Sequence, residues 1–379
     1  MTGLVRLAFA AFFFFYFAYI GLMSPYLSLY FSSRNFGAIE IAALMSMFQI
    51  TRILGPFAWG WLADVRRDRL GIMRITSCLA VIVFLGIFYL ETYVYLLIWL
   101  FLLNTVISSL MPLGEAATIH ALYKDKSFDQ RYGRLRLWGS IGFIVMVMAA
   151  GAWFEAFGIS SLPWFGLSAL IILAILTMTL REPPMEASHH ISSGFLKALK
   201  NKDVIWFMSA NFWMIFGHAA FYVFYSLYLD GLGYSKSEIG LLWMLGVAAE
   251  VVFFYFQNSF FKRFNTKTIL VWAYLMMAVR FLIIAYLPHT MTLILAKLMH
   301  AATFGAHHSA SLKMLQRWFS GAMQARGQAL YTTVSYGVGG TVGGLASGWV
   351  WEHWGAPHVF GVAAVSGLLG YLCVRRVNT

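Results

Sequence analysis

Ala8-Phe-Ala-Ala-Phe12-Phe-Phe-Phe15-Tyr-Phe-Ala-Tyr19-Ile-Gly21-Leu-Met-Ser-Pro25-Tyr-Leu-Ser-Leu-Tyr-Phe31 contains no charged side chain. An α-helix rises about 1.5 Å per residue, so about twenty apolar residues cross the roughly 30 Å hydrocarbon core of a bilayer. A strand of an outer-membrane barrel would instead alternate apolar and polar positions over about ten residues. Here the apolar character is continuous. Runs of the same kind recur at about 8–31, 40–62, 71–90, 94–121, 134–155, 162–180, 204–229, 236–260, 266–286, 289–312, 326–350 and 355–374. The sequence therefore predicts an all-α polytopic membrane protein with twelve transmembrane helices.

Composition agrees. Of 379 residues, 60% are hydrophobic and 11% are charged, against about 25% charged in a soluble domain. That is too few to cover a water-facing surface, which excludes a soluble enzyme. The two cysteines, Cys78 and Cys373, both lie in apolar runs, which excludes a disulfide-stapled scaffold. The net charge of +12 could suggest nucleic acid, but its placement argues otherwise. Lys and Arg crowd the N-terminus, the loops after spans two, four, six, eight and ten, and the C-terminus, while Arg34 and Lys236 lie on the opposite side. By the positive-inside rule both termini are cytoplasmic and the protein belongs to a cell (inner) membrane. The first run is too long for a signal peptide, and no small-residue cleavage site follows it.

The longest polar stretch, residues 181–203, reads as a cytoplasmic linker between two six-helix halves, 1–180 and 204–379. Span five ends Gly151-Ala-Trp-Phe-Glu155-Ala-Phe-Gly158 and span eleven ends Gly348-Trp-Val-Trp-Glu352-His-Trp-Gly355. Both read G-x3-E-x2-G at equivalent places, which points to parallel repeats of six spans. The loop after span two reads Gly60-Trp-Leu62-Ala-Asp64-Val-Arg66-Arg67-Asp68-Arg69. It resembles the signature loop of the major facilitator superfamily, in which that loop latches the halves in one state. Gly60, Asp64 and Arg69 are its gating candidates, although the usual glycine after the Asp is missing. The alternative is an ordinary basic inside loop.

An ionisable group within a membrane is costly unless it is paired or faces water. The spans hold Arg52, Glu115, Arg136, His218, Glu250, Arg280, Lys297, His300, His307 and His308. Met111-Pro112-Leu-Gly-Glu115 followed by Tyr132-Gly133-Arg134-Leu-Arg136 resembles the lactose permease branch, and the resemblance implies that Glu115 and Arg136 form a substrate-binding ion pair. Arg280, Lys297 and His300 resemble that branch's coupling segment, and Glu250 fits its buried carboxylate. Its proton-carrying glutamate corresponds to Thr303 here, and a hydroxyl does not titrate near neutral pH. Few Asn or Gln side chains suited to sugar hydroxyls lie in the spans. A resemblance covering nearly the whole chain is to the 3-phenylpropionate permease family of proton symporters. It rests on Arg52, Tyr132-Gly133 to Gly139-Ser140, His218-Ala-Ala-Phe-Tyr222, Gly233-Tyr234-Ser235, Gly246 to Glu250, Val279-Arg280, and His300 to Phe304 with His308. The family typically has aspartate where Glu115 stands.

The resemblance implies a secondary transporter that imports a small aromatic carboxylate with protons. Substrate contacts would come from Arg52, Glu115, Arg136, His218 and His300, and proton coupling from Glu115, Glu250, Arg280, Lys297 and His300. A desolvated carboxyl takes a proton, its arginine partner is freed to attract the anion, and the neutralised site permits rocking. Dense aromatic faces on spans one and seven suit an arene. Each ion pair also reads as a static clasp between helices, and each histidine as a neutral cross-helix bond. The pair His189-His190 lacks further ligands, so no metal is expected. No cofactor is expected either, the proton gradient being the energy source, and the family favours a monomer. Rival readings are a sugar or nucleoside symporter and an exporter of lipophilic compounds. A membrane-embedded enzyme or sensor is excluded by the short linker.

Overall fold

The structure is a computed structural model and describes residues 3–122, 128–182, 198–320 and 323–378. Most of the 181–203 linker, including His189 and His190, lies outside the described residues. The described residues form twelve long helices and contain no strand. In chain order these are α1 (Gly3–Ser33), α2 (Ala38–Arg66), α3 (Arg69–Phe88), α4 (Tyr93–Leu122), α5 (Phe128–Phe157), α6 (Leu162–Thr179), α7 (Lys202–Gly231), α8 (Lys236–Arg263) and α9 (Thr266–Tyr286). Next come α10, α11 and, last, α12 (Ala356–Arg375). Ten of the twelve are long and apolar enough to cross a membrane as single helices.

The exceptions, α10 and α11, are each built from three consecutive pieces. In α10, Thr290–Leu298 passes through a π-helical turn, Ala301–Ala306, into His307–Trp318. In α11, Gln324–Thr332 passes through a π-helical turn, Thr333–Gly339, into Gly340–Trp354. A π-turn widens the helix by one residue and often marks a functional site. Small residues and glycines make up most of both turns, with one aromatic ring in each, Phe304 and Tyr336. The helix of α4 is also interrupted, at Ser108-Ser109, because Pro112 has no N–H for the Ser108 carbonyl.

Contacts gather the described residues into two compact units. One draws on Met1–Phe36, Leu54–Ala187 and Leu229–Met244; the other draws on Gly37–Ile53, Ser188–Tyr228 and Leu245–Thr379. In the first unit, α5 lies tight against α1: a Cβ on Gly142 would strike the backbone of Phe14, and one on Gly21 would meet the Phe143 carbonyl oxygen at 2.7 Å. In the second, α11 lies tight against α7: a Cβ on Gly339 would stand 2.7 Å from the Phe212 carbonyl oxygen, and one on Gly343 would strike the backbone of Phe216. Glycine allows this because only a hydrogen stands between the two backbones.

The sequence repeat has a structural counterpart. Gly158 and Gly355 end α5 and α11 with φ of 85° and 87°, a left-handed conformation open to glycine at a helix C-terminus. Gly151 packs on the start of α8, where a Cβ would stand 2.7 Å from the Lys236 carbonyl oxygen, and Gly348 packs on the start of α2, where one would stand 3.2 Å from that of Ala38. The turns before those helices match as well. Asn35 and Gly233 both have positive φ, and Glu40 and Glu238 accept from the backbone N–H of Gly37 and Ser235 at 2.9 and 2.8 Å.

Large apolar side chains such as Leu54, Phe57, Tyr255, Phe256 and Met291 stand exposed, as expected where the surrounding solvent is hydrocarbon. If the glycine contacts set helix spacing, Gly142→Leu should lower the stability of the detergent-solubilised protein by about 3 kcal/mol. Gly60→Ala, whose Cβ would meet nothing within 4 Å, should melt with the parent; equal melting curves for all three proteins would refute the packing argument.

Candidate functional site

In the second unit the ionisable side chains of α7, α8, α9 and α10 converge on one cluster. Arg280, on α9, is fully buried. Its Nη1 donates to Thr303 Oγ1 at 2.9 Å and to His218 Nε2 at 3.2 Å. His218 Nδ1 donates to the Met214 carbonyl at 2.9 Å, which leaves Nε2 as the lone-pair acceptor that Arg280 needs. Among the described residues Arg280 makes no ion pair, and its Nε and Nη2 have no hydrogen-bond partner. Those two nitrogens lie on one edge of the guanidinium and form the fork that grips a carboxylate through two parallel bonds.

Around this edge stand aromatic rings. The guanidinium carbon lies 4.7 Å from the centroid of Phe221 and 5.2 Å from that of Phe281. Lys297, also buried, puts its ammonium 4.3 Å from Phe221 and 4.7 Å from Tyr225. Phe221 and Tyr225 are one helical turn apart on α7, so they present one face; His218 lies on it too.

Glu250, on α8, meets His300 of α10, with Oε1 2.8 Å from Nε2. The two side chains are 15% and 7% exposed. His300 Nδ1 has no partner among the described residues. Two glycines allow this approach. Gly246 leaves room for Lys297 and His300, whose atoms would stand 3.2 and 3.4 Å from a Cβ, and Gly305 in the π-turn of α10 stands against Phe253 and Glu250. The same turn carries Thr303 inward to Arg280.

Arg52 belongs to the same unit. It is exposed, with its guanidinium 5.6 Å from the ring of Tyr336 in the π-turn of α11. Tyr222 lies within electrostatic reach of Glu250, Arg280, Arg52 and Tyr336. His307 forms a separate buried chain, with Nε2 3.1 Å from Tyr274 OH and 3.4 Å from Ser311 Oγ, and Ser311 donates to Asn211 Oδ1 at 3.0 Å. His308 stacks on Phe304.

The first unit holds the other predicted pair. Arg136 Nε is 3.5 Å from Glu115 Oε1, both side chains about one third exposed. The guanidinium lies 4.1 Å over Phe17 of α1, and Gly139, one turn along α5, leaves room for that ring. In the loop after α2, Asp68 caps α3 by accepting from Gly71 N at 2.7 Å. Arg69 reaches Glu182 at 3.3 Å, and His120 reaches the same carboxylate at 3.4 Å. Gly60 is half-buried, and Asp64 is exposed with no hydrogen bond or ion pair among the described residues. Among the described residues no cluster of ligands could hold a metal ion.

Two partners escaped the reading of the sequence. Glu182 is the first acid past span six, next to Arg181, which was its available signal. Thr303 stood out only as a departure from a titrating position, yet it is the hydroxyl that Arg280 holds.

The family model described as the MFS_1 like family matches residues 6–362. The chain belongs to that family and is a multi-pass membrane transporter rather than an enzyme. It is 27% identical over 94% of its length, and 93% of the other protein, to the "Probable 3-phenylpropionic acid transporter" of Escherichia coli. It is 24% identical over 98% of its length, and 95% of the other, to the "Maltose permease" of Geobacillus stearothermophilus. In fold it is similar to a mutant of the nucleoside transporter NupG, with TM-score 0.88 and 17% identity over 99% of this chain and 100% of the other.

If Thr303 Oγ1 supports Arg280, Thr303→Val keeps the shape and removes the acceptor. A loss of about 1–3 kcal/mol is expected, read as a lower melting temperature, with Thr303→Ser close to the parent. A valine variant as stable as the parent would remove Thr303 from the site.

Proposed function

We propose that the chain is a proton-coupled importer of a small aromatic carboxylate, such as 3-phenylpropionate. The observation that carries this reading is Arg280: a fully buried guanidinium whose Nε–Nη2 edge has no partner among the described residues and stands among rings. A buried cation needs a counter-charge, and a substrate carboxylate supplies one in the geometry that edge favours. An arene attached to it would lie against Phe281 and Tyr222. The relative whose name gives 3-phenylpropionic acid supports the same class.

Proton coupling falls to the Glu250–His300 pair. A proton can sit on either side of a short N···O contact, and a second proton makes the pair cationic. On this reading, loading that proton from outside removes the negative charge beside Arg280, and the guanidinium then attracts the incoming anion. Arg52 adds a second positive group for capture, and Glu115 with Arg136 is a further ion pair within the first unit. Gly60, Asp64 and Arg69 belong to the loop that latches after α2; the Arg69–Glu182 contact is the bond that such a latch would break. Rocking between access states delivers both solutes to a cytoplasm that also holds the two termini. The protein works as a monomer in an inner membrane, with no cofactor beyond the proton gradient.

The test is uptake of labelled 3-phenylpropionate into proteoliposomes under an inward proton gradient. Accumulation should require the gradient, fall at least tenfold in Arg280→Gln, and become insensitive to the gradient in Glu250→Gln while exchange of substrate across the membrane persists. Arg52→Gln should raise KM with smaller loss of maximal rate. Accumulation of a sugar, nucleoside or lipophilic cation in place of the acid, by folded protein, would overturn the substrate assignment.

A further inference from the structure

Two buried cations share one ring. Arg280 and Lys297 are 0% and 1% exposed, and their charged groups stand 4.7 and 4.3 Å from the centroid of the fully buried Phe221. His300 stacks on the same ring at 5.8 Å, with 30° between planes. The acid of this cluster, Glu250, already bonds His300. An aromatic face carries partial negative charge and attracts a cation placed over it, more strongly where water is excluded.

We propose that Phe221 is a positioning residue that acts as a surrogate counter-charge: its ring holds Arg280 and Lys297 in place before substrate binds, and cedes part of that role to the substrate carboxylate. The inference rests on the reading of Arg280 as the anion site. A carboxylate at position 221 would neutralise the guanidinium for good and exclude the substrate. An aliphatic side chain would fill the space and withdraw the ring's attraction from both cations. A ring does neither, because its attraction is weak enough to be displaced and takes up none of the guanidinium's donors. The Nε–Nη2 edge stays free for a carboxylate. Anion binding spreads the positive charge of Arg280 over the new pair and so weakens its hold on the ring. The ring therefore stabilises the unbound protein more than the bound one.

That asymmetry is measurable. Fluorinated phenylalanines with one, two and three ring fluorines, installed at position 221, drain the negative face with little change of shape. Each added fluorine should lower the melting temperature of the substrate-free transporter. Affinity for 3-phenylpropionate should move the other way, reaching about threefold tighter with three fluorines. A purely packing role predicts no trend in either quantity, and that result would overturn the proposal. So would affinity that weakens in step with stability, since the ring would then be a stacking platform for the substrate. If the parent protein does not bind 3-phenylpropionate at all, the anion reading fails by itself. The melting series still decides whether the ring holds the two cations. Phe221→Leu serves as the coarse variant, and the fluorine series stands if it fails to fold.

Discussion

A guanidinium buried in a membrane protein without a carboxylate is the constraint around which the second unit is arranged. Arg280 cannot be deprotonated at any accessible cost, so its charge has to be met by dipoles and rings. Thr303 and His218 accept from Nη1, the His218 tautomer is fixed from behind by the Met214 carbonyl, and the guanidinium lies over the rings of Phe221 and Phe281. Replace any of these by an aliphatic side chain and the remaining groups carry a larger share of an unscreened charge. This explains why four helices contribute to one cluster and why its members are so nearly dry.

The backbone is shaped to the same end. Side chains reach Arg280 and Arg52 because the π-turns of α10 and α11 widen those helices where Thr303 and Tyr336 sit. A π-turn costs regular hydrogen bonding, and glycine lowers the steric part of that cost. Gly305 admits Glu250 and Phe253, while Gly337 and Gly340 admit Ile53 and Gln49 of α2. Glycine has therefore two tasks in this chain. On α5 and α11 it sets helix spacing, and beside the cluster it lets a polar side chain stand where a methyl group would block it.

Much of this was legible in the sequence, and the reasons are physical. Continuous apolar runs fix the helices because a bilayer imposes one length scale, and the basic loops order them. The G-x3-E-x2-G repeat has a physical content that the structure makes visible: in each copy the two glycines do the same work, in a close contact and in a left-handed helix end. The polar residues of the site were visible because a charge among apolar neighbours is conspicuous. The Glu115–Arg136 pair was legible as well, but the partner of Glu250 was not. The sequence reading gives it Arg280, whereas the structure gives it His300, since Arg280, Lys297 and His300 lie on two helices whose rotation the sequence leaves open. The π-turns were hidden for a related reason: a stretch has the same composition whether it forms an α-turn or a wider one. So the sequence reads α10 and α11 as plain spans. Phe221 was visible as one ring among many, and only the positions of two cations distinguish it from the lipid-facing phenylalanines.

The hydroxyl at position 303 has a consequence for the proposed coupling. A carboxylate there would sit against Arg280 and form a strong pair, and protonating that acid would be the natural way to release the guanidinium. Thr303 accepts a hydrogen bond but neither carries charge nor takes up a proton, so the arginine is already free along its Nε–Nη2 edge. Control of its affinity then has to act at a distance, through the charge of Glu250 and His300 and through the rings between. Such control is graded, because a neighbouring charge changes the attraction for an anion without blocking the donors. On the proposed reading the proton therefore tunes substrate affinity instead of gating it. The coupling of proton to substrate should accordingly be looser than in a transporter whose arginine is held by an acid.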